Sequence, residues 1–266
     1  MLITNIFVML NLPKTGSTFA REAIKRLYSK RESKINRFLS VIGIRKPELL
    51  ELLMPKIDNG KLLGFKDVHG TLRQIPVEHR NKKVISVTRN PFSRYVSSFY
   101  YRSWEKFPPT DIQTIRTYYP NYPNLSFAEF YEMMHIFGRE NFLRGIVPKI
   151  ELGISTIQFI QFFFNDPESV LKKIDDDYID SREFEKDMGN IHFIHQENLR
   201  EELIEFLAHI GIPRDELDFI TSLKKVNVTL KKTNTSHHSE IITPMIEQKI
   251  LEREKLIFTI FPMYKS

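Results

Sequence analysis

The stretch that most constrains the fold lies near the start of the chain, at residues 5–29, and reads NIFVMLNLPKTGSTFAREAIKRLYS. Its apolar run IFVML, at residues 6–10, is typical of an inner strand of a parallel sheet. Pro13 and Gly16 then indicate a tight turn. A helix is expected next, because apolar residues recur at helical spacing, namely Phe19, Ala23, Ile24 and Leu27. The stretch therefore predicts a strand, a loop and an amphipathic helix in direct succession.

The loop of this unit predicts an anion site. Ser17 and Thr18 are residue types that cap a helix, and the backbone amides at a helix start attract anions. The ammonium group of Lys14 adds a positive charge at the same place. The loop is not that of a nucleotide triphosphatase, which needs G-x-x-x-x-G-K-[ST], because no glycine precedes Lys14 at that spacing. We therefore expect a phosphate or sulfate group to bind there.

The composition of the chain limits the class of protein and the kinds of site that it can contain. The 266 residues suffice for one large α/β core, and 41% hydrophobic with 27% charged residues is ordinary for a soluble globular chain. A net charge of +6 favours anionic ligands, although the cationic residues are scattered rather than massed. The absence of cysteine excludes disulfides and thiolate metal sites.

The sequence also bears on localisation. No apolar stretch approaches the roughly 20 residues that a membrane span requires. The N-terminus has neither the charged region nor the cleavage site of a signal peptide. We therefore predict a soluble, cytoplasmic protein without a membrane partner.

Two later strands are predicted to end in polar residues. The first, at residues 61–70, carries Lys66, Asp67 and His69 at its carboxyl end. Ligands of open α/β sheets bind outside the carboxyl ends of the strands, so these three side chains are candidates for a binding site. The second strand, KVISVT at residues 83–88, runs directly into Arg89, and Pro91 after it can start a helix.

The rest of the chain contains mostly helical patterns. Predicted helices occupy residues 47–54, 127–137, 167–174 and 244–256. Residues 154–164 fit a strand or a helix, residues 190–212 predict a strand, a turn and a helix, and residues 107–122 predict a long irregular segment. For the acidic run at residues 175–177, a solvated helix end is favoured over a metal site. Together these elements predict an α/β fold, with a single domain over residues 1–266 and a central, mostly parallel sheet flanked by helices.

Two segments resemble the signatures of sulfotransferases that use PAPS (3′-phosphoadenosine 5′-phosphosulfate), of the carbohydrate and small-molecule type. PKTGST, at residues 13–18, resembles the loop that holds the 5′-phosphosulfate of PAPS in that family. The resemblance implies a P-loop-like sulfotransferase fold. It also implies a set of cofactor-binding residues in this stretch, which are Lys14, Thr15, Gly16, Ser17, Thr18 and Phe19.

The second segment, RNPFSRYVS at residues 89–97, resembles the signature R-N-P-x-D-R-x-x-S. The arginine and the serine of that signature bind the 3′-phosphate of PAPS, which here implies Arg89 and Ser97. Ser93 stands where the family often has an aspartate. The polar loop at residues 231–238 resembles a late loop that closes over the cofactor in relatives. The contacts implied there are Lys232, Asn234 and Ser236.

The resemblance implies a reaction as well. A sulfuryl group would pass from PAPS to an acceptor hydroxyl, leaving PAP (adenosine 3′,5′-bisphosphate), with no metal required. Lys14 is the expected stabiliser of the leaving phosphate, and His69 is the expected general base, since imidazole exchanges protons near neutral pH. Asp67 and His237 are the other candidate bases. The acceptor is expected to be a small-molecule natural product or a glycan, through a hydroxyl or alternatively an amine or carbamoyl nitrogen.

Two other functions remain open from the sequence. A P-loop-type kinase of small molecules would need a magnesium-binding carboxylate at a strand end, where only Asp67 is placed. A non-catalytic nucleotide-binding or nucleic-acid-binding protein would use the basic surface and the tyrosine-rich stretch at residues 107–122 for stacking. We expect the sulfotransferase, with no nucleic-acid partner.

Overall fold

The computed structural model describes residues 1–31, 33, 42–44, 47–58, 61–224 and 241–265. The chain divides into two compact units. The first comprises Met1–Lys56, Leu62–Arg89 and Asn190–Val228, and the second comprises Ile57–Lys61, Asn90–Gly189 and Thr229–Ser266.

The strands and helices follow one another along both units. The strands are β1 (Leu2–Thr4), β2 (Phe7–Leu10), β3 (Leu49–Glu51), β4 (Met54–Asp58), β5 (Lys61–Asp67), β6 (Lys83–Thr88) and β7 (Ile191–His195). The helices are α1 (Ser17–Arg31), α2 (Pro91–Tyr101), α3 (Ser103–Lys106), α4 (Ile112–Tyr118), α5 (Phe127–Met133), α6 (Arg139–Leu143), α7 (Ile154–Phe163), α8 (Pro167–Lys173), α9 (Asp176–Asp180), α10 (Phe184–Asp187), α11 (Leu199–His209), α12 (Phe219–Ser222), α13 (Pro244–Arg253) and α14 (Lys255–Ile260).

A five-stranded sheet, in the order β3-β1-β2-β6-β7, belongs to the first unit. β2 pairs in parallel with β6, and β6 pairs in parallel with β7. β1 is antiparallel to both β2 and β3. Four of the five strands of this sheet therefore run in the same direction, which confirms the predicted α/β fold with a mostly parallel central sheet.

The core of the first unit explains why the opening stretch folds as predicted. All four residues of β2 are fully buried, as an inner strand requires. On one face of the sheet, Phe7 packs edge-to-face on Phe206 of α11, with ring centroids 5.4 Å apart. The four apolar positions that predicted α1 are buried in the same core, namely Phe19, Ala23, Ile24 and Leu27. Each large side chain buried in this way contributes about 1.5–3 kcal/mol, so packing rather than propensity holds the unit together.

Residues 47–54 do not form the predicted helix. The segment PELLELLM instead contains β3, which pairs with β1 through Ile3 and Leu50. The adjoining amide of Leu52 donates to the main-chain oxygen of Met1 at 3.0 Å. A helix of eight residues is too short to be stable by itself, so pairing with β1 determines the conformation.

Two further predictions need correction. The strand at residues 61–70 exists as β5, but it pairs with β4 in a separate two-stranded sheet rather than joining the five-stranded one.

Residues 107–122 are not wholly irregular, because they contain α4. Asp111 caps that helix by accepting a hydrogen bond from the amide of Thr114 at 2.8 Å.

The described residues 90–189 and 241–265 of the second unit are mostly helical. Residues 154–164, which fit either a strand or a helix, form α7. Ser126 caps α5 in a capping box with Glu129. A π-helical turn, Met134–Gly138, follows α5 directly. The last predicted helix, at residues 244–256, is divided at Glu254 into α13 and α14. None of the described helices has both the length and the apolar character needed to cross a bilayer.

Candidate functional site

The loop between β2 and α1 is folded back on itself by two hydroxyl groups. The hydroxyls of Thr15 and Ser17 both donate to the main-chain oxygen of Leu12, at 2.9 and 3.1 Å. Lys14 and Gly16 have left-handed backbones, with φ of +66° and +87°. This conformation turns the chain sharply into α1, whose first amides have no partner within the helix. The loop therefore has the geometry of an anion-binding helix start.

The loop is backed by the segment that joins β7 to α11. A Cβ atom placed on Gly16 would lie 3.1 Å from Cγ of Gln196 and 3.4 Å from Cδ2 of Leu199. The positive φ and this close approach both favour glycine at this position. Arg200 lies in the first turn of α11, and its guanidinium carbon is 5.3 Å from the centroid of the Phe19 ring. Residues 190–212 form the predicted strand, turn and helix, and they shape the wall behind the loop.

Arg89, directly after β6, contacts the loop. Its Nη1 donates to the main-chain oxygen of Lys14 at 3.3 Å. The pKa of the Lys14 ammonium is lowered to about 8, chiefly because burial disfavours the charged form and secondly because the positive Arg89 is near. Positive charge is thus concentrated at the loop, and a bound anion would stabilise both groups.

His69 follows β5 and is held by Asn11, which follows β2. The ring nitrogen Nδ1 of His69 lies 2.7 Å from the main-chain oxygen of Asn11. The side-chain amide of Asn11 donates to the main-chain oxygen of Val68 at 3.0 Å. Because a carbonyl oxygen only accepts, Nδ1 must carry the hydrogen. In the neutral ring, Nε2 therefore has the lone pair and can take up a proton.

Asp67 lies beside the other nitrogen of the same ring. Its Oδ1 is 3.5 Å from Nε2 of His69 and also accepts a hydrogen bond from the His69 amide at 3.2 Å. The two side chains are 32% and 26% exposed, so solvent reaches both. A proton taken up at Nε2 would create a positive charge next to the carboxylate. The arrangement thus suits His69 as proton acceptor and Asp67 as the group that stabilises the resulting imidazolium.

Ser97 lies on α2, in the second unit, and is half-buried. Pro91 opens the first turn of this helix, as the sequence predicts. Asn90 caps the helix by accepting a hydrogen bond from the amide of Phe92 at 2.9 Å. Arg94, also part of the RNPFSRYVS segment, is buried and donates to the main-chain oxygen of Ser155 at 3.4 Å and to the side chain of Gln158. Arg94 therefore has a structural role that was not predicted from the sequence.

The other predicted site residues are placed as follows. Thr18 is half-buried in the first turn of α1, and Phe19 is buried in the core of the first unit. Lys232, Asn234, Ser236 and His237 lie outside the described residues. In the part of the chain that the structure describes, no group of histidine, aspartate and glutamate is arranged to hold a metal ion.

Sequence reasoning missed two residues near these elements. Asn11 holds the segment that carries His69, and its signal was a polar residue directly after a buried strand. Glu254 is fully buried in the second unit, and nothing in the charged segment around it distinguishes it from a surface acid.

Comparison with known proteins gives the family. No curated protein matches the sequence. The crystal structure of mouse sulfotransferase SULT7A1 complexed with PAP is similar to this chain at 18% sequence identity and a TM-score of 0.44, over 96% of this chain and 84% of that one. The profile described as the sulfotransferase family matches residues 4–261. Because that match spans nearly the whole chain, the protein belongs to the sulfotransferase family and is a transferase.

Proposed function

We propose that the protein transfers a sulfuryl group from PAPS to a hydroxyl of a small-molecule natural product or glycan, with residues 1–266 as one catalytic domain. The observation that carries the proposal is the loop before α1, where the partly buried ammonium of Lys14 and the guanidinium of Arg89 concentrate positive charge at a helix start. A dianionic group such as the 5′-phosphosulfate of PAPS fits this charge.

The donor is proposed to bind through both signatures. The 5′-phosphosulfate binds Lys14 and the backbone amides of residues 15–18, and Phe19 belongs to the same segment. The 3′-phosphate binds Arg89, whose planar guanidinium matches phosphate oxygens, and the hydroxyl of Ser97. Three residues of the late loop complete the proposed cofactor contacts, namely Lys232, Asn234 and Ser236.

The chemistry is an in-line displacement at sulfur. A bond forms between the acceptor oxygen and sulfur while the bond from sulfur to the phosphate oxygen breaks. His69 takes the acceptor proton at Nε2, and Asp67 stabilises the imidazolium that forms. Lys14 neutralises the charge that grows on the departing phosphate. We expect no metal to be needed, because the sulfuryl group carries less charge than a terminal phosphate and the lysine can offset it.

A calorimetric titration tests the donor assignment. PAP should bind far more tightly than AMP, ADP or ATP in the absence of magnesium, because only PAP supplies the 3′-phosphate together with a 5′-phosphate. Arg89→Ala should bind PAP and AMP with similar affinity, since its guanidinium is the proposed partner of the 3′-phosphate. Tighter binding of ATP, especially with magnesium, would contradict the proposal and favour a kinase. A lack of binding to all four nucleotides would contradict it as well.

Replacement of Gly16 by alanine should weaken PAP binding as well as stability. The left-handed backbone alone makes alanine unfavourable by about 1–3 kcal/mol. The added methyl group would also press on Gln196 and Leu199 and shift the loop. Gly211→Ala is the matched control, because Gly211 has φ of +93° and nothing within 4 Å of the added Cβ. Thermal melts should show a loss in both variants, and calorimetry should show weaker PAP binding in Gly16→Ala alone.

A further inference from the structure

Glu254 lies between α13 and α14 and is completely buried. Its carboxylate accepts hydrogen bonds from two amides of the first turn of α7, those of Ser155 at 3.1 Å and Thr156 at 2.7 Å. The carboxyl group thus sits at the positive end of that helix, where the hydrogen bonds that it accepts from Tyr95 and Thr156 oppose the increase in its pKa that burial causes. Glu254 caps a helix that begins about a hundred residues earlier in the chain.

Gly153, the residue before α7, leaves the space that this carboxylate occupies. A Cβ atom on Gly153 would overlap the carboxylate of Glu254, so a larger residue there would displace it. The amide of Gly153 donates to the main-chain oxygen of Arg253 at 2.8 Å. The start of α7 therefore contacts the junction of α13 with α14 in two ways, through a main-chain hydrogen bond and through the side chain of Glu254.

A third hydrogen bond to the carboxylate comes from α2. The hydroxyl of Tyr95 donates to Oε1 of Glu254, and the tyrosine is buried. Burial raises the pKa of Tyr95 well above its usual value, and the neighbouring negative Glu254 adds to the effect, so the hydroxyl stays protonated and remains a donor. Arg94, the preceding residue, donates to the main-chain oxygen of Ser155. Adjacent residues of α2 are thus linked to the first turn of α7, Arg94 directly and Tyr95 through Glu254.

Ser97 lies two residues beyond Tyr95 on the same helix. Because the residues of a helix move together when it rotates or slides, a bond at Tyr95 helps to fix the position of the Ser97 backbone. We propose that Glu254 is a positioning residue, which through Tyr95 holds α2 in the orientation that lets Ser97 bind the 3′-phosphate of the donor. This inference rests on the proposed function and adds to it the group that orients one of its phosphate contacts.

Tyr95→Phe tests the inference, because it removes one hydroxyl and keeps the ring and the cap on α7. The ratio of the PAP and AMP affinities, measured by calorimetry, should fall about three- to tenfold, the equivalent of one hydrogen bond. Tyr178→Phe is the matched control, since the buried Tyr178 also donates to a carboxylate, that of Asp187 at 2.6 Å, but belongs to α9. It should lower the melting temperature comparably and leave the affinity ratio unchanged.

Glu254→Gln provides a second variant, which keeps an oxygen that can accept from Tyr95. Its affinity ratio should lie between those of the wild type and Tyr95→Phe. A wild-type ratio in both variants, or an equal fall in Tyr178→Phe, would overturn the positioning role while leaving the proposed function intact. A wild type that does not distinguish PAP from AMP would overturn the proposed function, and this inference with it.

Discussion

Replacing His69 by alanine should lower the rate of sulfuryl transfer by roughly 10²–10⁴-fold, the usual contribution of a positioned general base. Nδ1 of the ring bonds to the main-chain oxygen of Asn11 at 2.7 Å, which leaves the lone pair on Nε2 for the acceptor proton. The variant should still bind PAP within about twofold of the wild type, because the lost group acts on the acceptor rather than on the donor. Single-turnover kinetics with bound PAPS and calorimetry with PAP measure the two quantities separately.

His209→Ala is the control for this experiment, because His209 lies on α11 and is exposed. It should keep both the rate and the affinity. Asp67→Asn should have a smaller effect than His69→Ala, since it removes the charge that stabilises the imidazolium but leaves the base in place. If Asp67→Asn were the more damaging of the two, Asp67 would be the base. A wild-type rate in His69→Ala would remove His69 from the reaction.

The two strand–loop–helix segments could be predicted because their sequence signals are local. In the first segment, an apolar run, Pro13 and Gly16 precede the amphipathic α1 within one short stretch. In the second segment, Pro91 closely follows the apolar strand KVISVT and marks the start of α2. The side chains that the two signatures predicted to bind the donor are carried on these elements. Lys14 and Arg89 accordingly lie in contact through the main-chain oxygen of Lys14.

The features that could not be predicted depend on residues far apart in the chain. β3 exists because Leu50 pairs with Ile3, and its own sequence has a helical pattern. The role of Asn11 becomes visible only when β5 brings His69 beside it. Glu254 reads as a surface acid, but Gly153 leaves room for it and Tyr95 donates to it. The roles of these residues depend on the side chains and strands that pack against them. The periodicity of the sequence does not indicate those contacts.

The loop lysine should give the reaction an alkaline limit. The pKa of Lys14 is lowered to about 8, first by burial and then by Arg89, so the side chain loses its charge as the pH rises through that value. Neutral lysine cannot offset the charge on the leaving phosphate, and kcat/KM for PAPS should therefore fall above about pH 8. Lys14→Met should lower turnover at neutral pH by roughly 10²–10³-fold, as expected for loss of one stabilising charge in the transition state.

Lys14→Arg distinguishes the effect of a positive charge at this position from the effect of its loss at high pH. Arginine stays protonated throughout the accessible pH range, so this variant should keep more activity than Lys14→Met and should lose the fall above pH 8. Arg89→Gln should move the fall in kcat/KM to higher pH, because it removes the second cause of the lowered pKa of Lys14 and leaves burial as the first. The shift should be partial for that reason. An unchanged alkaline limit in Lys14→Arg would mean that another group titrates there, and Lys14 would then not be the residue that sets the pH dependence of sulfuryl transfer.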